Sequence, residues 1–144
     1  MKDLNQILED CIAFTVKKFE DMRDKQGLPM VLHSLYVMSM AETIEDKIVA
    51  ILHDVLKDTS ATVADLKNLG VPHRLVQDVV VLTHLKGIAY DEYLRIIKKQ
   101  ERARRIKNLD MDHNSSPERI NGLDLKTAVR LTTKYLKGRR VLNG

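Results

Sequence analysis

The chain has 144 residues, 44% of them hydrophobic and 31% charged, which suits one domain of the usual size of about 100–200 residues and excludes disorder as the main state. Its 24 Lys and Arg against 20 Asp and Glu give a formal charge of +4, a moderate excess that fits a phosphate-bearing small molecule better than nucleic acid. With 4% aromatics and no Trp it lacks the stacking residues of a single-strand binder, and no apolar run approaches the roughly 18–20 residues that span a bilayer.

The start MKDLNQILED has no basic region followed by an apolar run, so a cytoplasmic protein is expected, with neither membrane nor nucleic acid as partner. Leu4, Ile7, Leu8, Cys11, Ile12, Thr15, Val16 and Phe19 recur at spacings of three and four and predict a first helix. Cys11, the single cysteine, falls on its core face, which excludes an internal disulfide and cysteine-based zinc binding. Gly27-Leu28-Pro29 predicts a turn into a second helix, from about Pro29 to Glu42. A third spans about Ile44 to Leu56. Thr62 is placed to cap a short helix ending at Leu69 before Gly70, and Pro72 opens another through Leu75 to Leu82. Helices are also expected near Asp91–Lys98 and Glu101–Asp112. After a polar turn over Asn114 to Asn121, a last helix runs from about 124 and stops at Gly138, its tail from Lys134 to Arg140 reading as a solvated end. An Arg in that tail is long enough to reach a neighbouring subunit, so a homo-oligomer is compatible with the chain. No alternating pattern is long enough to specify a sheet, and the class is all-α.

The chemistry lies in polar residues set into apolar helical runs. His53 and Asp54 stand side by side within Ile48 to Leu56, His33 follows Met30-Val31-Leu32, and Asp110 lies in Ile106 to Met111. Burying such groups is costly unless something pairs with them, and a divalent cation is a suitable partner for imidazole and carboxylate together. Two His and two Asp on neighbouring helices can converge as ligands of one ion.

The order His, His-Asp, Asp on consecutive helices resembles the HD superfamily of metal-dependent phosphohydrolases. More narrowly, Gly27 to His33, Ala50 to Thr59 and Ala103 to Asn114 are similar to the hydrolase domain of the Rel/SpoT family and its small stand-alone relatives, which remove pyrophosphate from guanosine tetra- and pentaphosphate, (p)ppGpp. The resemblance covers about 20–117, within a single HD-type domain over 1–144. It implies that His33, His53, Asp54 and Asp110 bind one divalent ion, Mn²⁺ in most of the family. Asp58, five positions after His53, is then placed to orient water or take its proton, and Asn114, four after Asp110, to stand beside a nucleotide.

The departures bear on substrate. The family reads His-Asp-x-x-Glu-Asp, whereas this chain has Lys57 at the Glu, a residue that can bind phosphate but cannot act as a base while protonated. The family's basic pair before the first His is Asp24-Lys25 here, and the Tyr after Pro is Met30, so of that pair Lys25 alone is left as a substrate-binding candidate. Lys107, three residues before Asp110, is a further candidate phosphate contact; Arg104 is a weaker one. The rest of the basic segment Lys98 to Arg105 reads as a solvated face, His73 and His84 as surface or capping residues, and His113 as an orienting or structural one. The expected function is hydrolysis of a nucleotide or related phosphorylated metabolite, similar to alarmone 3′-pyrophosphate hydrolysis, with Asp54, Lys57 and Asp58 as the catalytic group. The alternative is a metal- and nucleotide-binding sensor in which Lys57 has cost the chain its turnover.

Overall fold

A helix that is apolar on every side has to sit in the middle of its fold, and Ile48, Val49, Ala50, Ile51 and Leu52 have no exposed surface. The computed structural model describes residues 2–144, and in it this segment forms the centre of α3 (Ile44–Leu52). Around it pack α1 (Leu4–Lys18), α2 (Val31–Met40), α6 (His73–Leu82) and α8 (Glu101–Asn114). Among the described residues there is no strand beyond an isolated bridge between Arg23 and Pro29. The expected all-α architecture is what the structure has.

Side-chain caps set several helix starts. Asp3 accepts from the Gln6 N–H to cap α1, and Thr43 does the same for Asp46 at the start of α3. Thr62 and Asp65 form a reciprocal capping box at α5 (Val63–Asn68). α7 (Tyr90–Lys98) packs on α8 and on the last helix, α10 (Leu125–Asn143). Cys11 is fully buried on α1, as its register predicts.

Three expectations need correction. The third helix does not run on to Leu56: it stops at Leu52, and α4 (Val55–Asp58) starts afresh. The His53 imidazole supplies the reason, since its Nδ1 donates to the Ala50 carbonyl at 2.6 Å, the acceptor that an unbroken helix would offer to the Asp54 N–H. The polar stretch after Asn114 contains a further short helix, α9 (Pro117–Ile120), with Pro117 in its first turn. Finally, α10 continues past Gly138 to Asn143. Gly138 is buried, and a Cβ there would lie 3.2 Å from Leu94 Cδ1 and 3.3 Å from Met111 Sδ. Glycine here permits close helix crossing rather than ending the helix, and Leu142 beyond it is fully buried.

Candidate metal centre

The α3–α4 break places His53 and Asp54 at the foot of the central helix, facing His33 on α2 and Asp110 on α8. One ligand atom from each of these four side chains lies within 4.8 Å of all the others. His33 Nε2 is 2.7 Å from Asp110 Oδ1 and 3.6 Å from Asp54 Oδ2, and His53 Nε2 is 3.1 Å from Asp54 Oδ2. Because a carbonyl can only accept, the bond from His53 Nδ1 to Ala50 fixes the proton on Nδ1 and leaves Nε2 free to act as a ligand toward the cluster.

The surroundings hold these groups in place. Lys107 donates to Asp110 Oδ2 at 2.7 Å and the Asn114 amide donates to Oδ1 at 3.0 Å. His113 Nδ1 meets His33 Nδ1 at 2.8 Å while its ring stacks on Tyr36 with centroids 4.0 Å apart, which gives His113 the orienting place its register suggests. Burial works against ionising Asp110, but Lys107, His33 and His53 hold its carboxyl well below the usual range. Burial likewise opposes charge on His53, yet Asp54 and Asp110 raise it well above the ordinary imidazole value. Two carboxylates and two imidazoles packed this closely form a donor set of the right number and type for one divalent ion.

Two cavities flank the cluster. The larger, of about 260 Å³, is walled by Phe19, Met30, Leu131 and Tyr135 and carries Arg23, Lys25 and Arg119 at its polar side. The hairpin that brings Arg23 and Lys25 there is folded around Asp24, which accepts from the Gln26 and Leu28 N–H groups at 2.9 and 3.0 Å and from Arg119 at 3.3 Å. Gln26 clamps the hairpin to α9 by donating to the carbonyls of Glu118 and Arg119. The smaller cavity, of about 130 Å³, is polar and lined by Lys57, Lys107, Lys134, Tyr90, Tyr93 and His84, among others. Asp54, Asp58 and Asn114 face both cavities.

The structure thus gathers His33, His53, Asp54, Asp58, Lys25, Lys57, Lys107, Asp110 and Asn114 around one place. Lys107 reaches the site already paired with Asp110. Arg104 lines neither cavity. Arg102 is half-buried and pairs with Asp46 at 2.9 Å and Asp78 at 3.1 Å, and Arg105, though exposed, also pairs with Asp46 at 2.9 Å. His73 is exposed, whereas His84 donates to the Ile88 carbonyl, stacks on Tyr93 and lines the small cavity. Arg23, Arg119, Tyr135, Tyr90 and Lys134 were not signalled as site residues by sequence. Lys134 lies in a tail whose charge density reads as solvent-facing, and only the path of α10 across α7 brings it over the small cavity.

Comparison of the fold with solved structures finds a chain described as "A metazoan ortholog of SpoT hydrolyzes ppGpp and plays a role in starvation responses". The match has a TM-score of 0.79 at 23% sequence identity and covers 96% of this chain and 86% of that one. The chain shares the all-α fold of that structure. No family model and no curated protein matches the sequence. In this fold the helix order brings α2, the α3–α4 break and α8 to one point.

Proposed function

We propose that this protein is a metal-dependent phosphohydrolase whose substrate is a guanosine tetra- or pentaphosphate or a closely related nucleotide, with Mn²⁺ as the ion. The observation that carries this reading is the position of the four-residue donor set between a mixed apolar and basic cavity and a smaller polar one that carries three lysines. The solved SpoT ortholog, described as hydrolysing ppGpp, supports the choice of substrate.

His33, His53, Asp54 and Asp110 would hold the ion, which supplies polarisation of a phosphoryl oxygen and a lowered pKa for an attacking water. Tyr135 and Phe19 offer surfaces for a base, with Arg23, Lys25 and Arg119 for charge at its edge. Asn114, held by its bond to Asp110, presents its amide at the junction of the two cavities. Asp58 is the proton acceptor. Burial and the nearby charge of Asp54 raise its carboxyl above the ordinary value, partly offset by Lys57, and a higher pKa makes a carboxylate a better base near neutrality. In the reaction, the water oxygen bonds to phosphorus as the bond from phosphorus to the nucleoside oxygen breaks. One water proton passes to Asp58, the released nucleoside oxygen is protonated from solvent, and pyrophosphate departs.

Purified protein incubated with guanosine tetraphosphate and a panel of nucleoside mono-, di- and triphosphates, with Mn²⁺ or with EDTA, tests the reading. The expected result is Mn²⁺-dependent release of pyrophosphate, abolished by EDTA. Tight nucleotide binding with no product from any member of the panel would replace the enzyme by the sensor alternative, which Lys57 favours.

A further inference from the structure

The small cavity is lined by three lysines, Lys57, Lys107 and Lys134, and by three carboxylates, of which Asp54 and Asp110 belong to the donor set and Asp58 does not. Lys107 is matched by Asp110 at 2.7 Å, but among the described residues neither Lys57 nor Lys134 makes an ion pair. Lys134 Nζ sits 4.5 Å from the centre of the Tyr90 ring, and Lys107 Nζ sits 5.9 Å from the same ring on its way to Asp110. The Tyr90 hydroxyl is buried at this place and has no hydrogen-bond partner, although a buried hydroxyl normally has one. Lys134 is held below the usual ammonium range, by its burial first and then by the repulsion of Lys107 and Lys57. Two lysines with no ion pair of their own, beside an unused hydroxyl donor, describe a place that an anion would complete.

From this juxtaposition, the geometry points to a second anion site in the small cavity, in which Lys57, Lys134 and the Tyr90 hydroxyl bind a phosphate group beside the metal cluster, whose Asp54 and Asp110 share the cavity wall. It rests on the proposed hydrolase reading for its meaning: the phosphate nearest the nucleoside lies at the donor set, and the outer phosphate of a pyrophosphoryl group lies on the lysines. The volume agrees with that division. The small cavity has half the volume of the large one and is walled mainly by charged and hydroxyl groups, so it suits a phosphate and not a nucleoside. Lys57, which stands where the resembling family has Glu, then acts as an anion-binding residue. The same grip retains pyrophosphate after the reaction, so the product is expected to inhibit.

Because neither lysine is a member of the donor set, their part in anion binding can be read with no metal present. Metal-free protein is titrated calorimetrically with inorganic pyrophosphate at low and high salt, in the wild type and in Lys57→Met, Lys134→Met and Lys25→Met. Lys57 and Lys134 are exposed enough for both variants to fold, which circular dichroism checks. The expected result is salt-sensitive binding, weakened tenfold or more by Lys57→Met and by Lys134→Met and unchanged by Lys25→Met in the other cavity. Absence of binding to the wild type, or binding that ignores both lysines, overturns the inference. Lysine-dependent binding in a protein that hydrolyses nothing would keep the anion site and remove the hydrolase. Turnover with lysine-independent pyrophosphate binding would do the reverse.

Discussion

His53 does three things at once, and each follows from the position of one ring. Its Nδ1 bond to Ala50 ends α3, fixes the tautomer, and turns Nε2 toward Asp54 and Asp110. His53→Ala and Asp54→Ala are therefore each expected to reduce bound Mn²⁺ well below one ion per chain, measured by elemental analysis after dialysis; full occupancy in both variants would remove them as ligands. Lys57→Glu probes the other side of the site. It exchanges an anion grip for a carboxylate next to Asp58, so alarmone turnover is expected to rise by on the order of tenfold and inhibition by pyrophosphate to fall. Unchanged turnover would mean that Lys57 is not where the reaction occurs, and lower turnover that its hold on phosphate outweighs the added carboxylate. The ligands were legible in the sequence because a polar residue inside an apolar helical run is conspicuous. Arg119 and Lys134 were not legible, since a cation among other cations in a polar segment carries no local mark of facing inward.

At the level of elements, the join between α3 and α8 depends on Asp46, a buried carboxylate that accepts from both Arg102 and Arg105. Burial opposes its ionisation, but the bonds from Arg105 and then Arg102 prevail and lower its pKa below the usual 3.8. A depressed folded pKa adds stability at pH values above the unfolded value, and that increment is lost as the pH falls through the folded one. Asp46→Asn is expected to cost about 2 kcal/mol in urea unfolding at neutral pH and to flatten the loss of stability below about pH 4. Equal acid sensitivity in the two proteins would assign it to other carboxylates. The crossing of α10 over α7 and α8 makes a second prediction. Gly138 has Leu94, Met111 and Tyr90 within 3.4 Å of where a Cβ would be, so Gly138→Val overpacks the contact and is expected to cost about 1–3 kcal/mol. The displaced Tyr90 should weaken pyrophosphate binding along with it. Helix periods and caps were readable from sequence to within a few residues, as at Thr62 and Asp65. What misled was glycine, whose use as a stop and whose use as a close-packing residue look the same in one dimension.

In the whole molecule, the four donor residues come from the N-terminal, central and C-terminal thirds of the chain, so an ion among them would join α2, the α3–α4 break and α8 at a point where their polar side chains otherwise meet through hydrogen bonds. The unfolded chain cannot keep these groups together, and a ligand that binds only the folded state stabilises it by mass action. At a free Mn²⁺ concentration a hundred times the dissociation constant the gain is about 2.7 kcal/mol, which for a chain of this size raises the melting temperature by roughly 5–10 °C. Differential scanning fluorimetry across a Mn²⁺ series should show this rise in the wild type and its loss in His53→Ala and Asp110→Ala, with Lys134→Met retaining it because that residue belongs to the small cavity alone. A rise that survives removal of His53 and Asp110 would place the ion elsewhere on the surface. A rise lost in Lys134→Met as well would mean that the small cavity and the donor set are one site, not two.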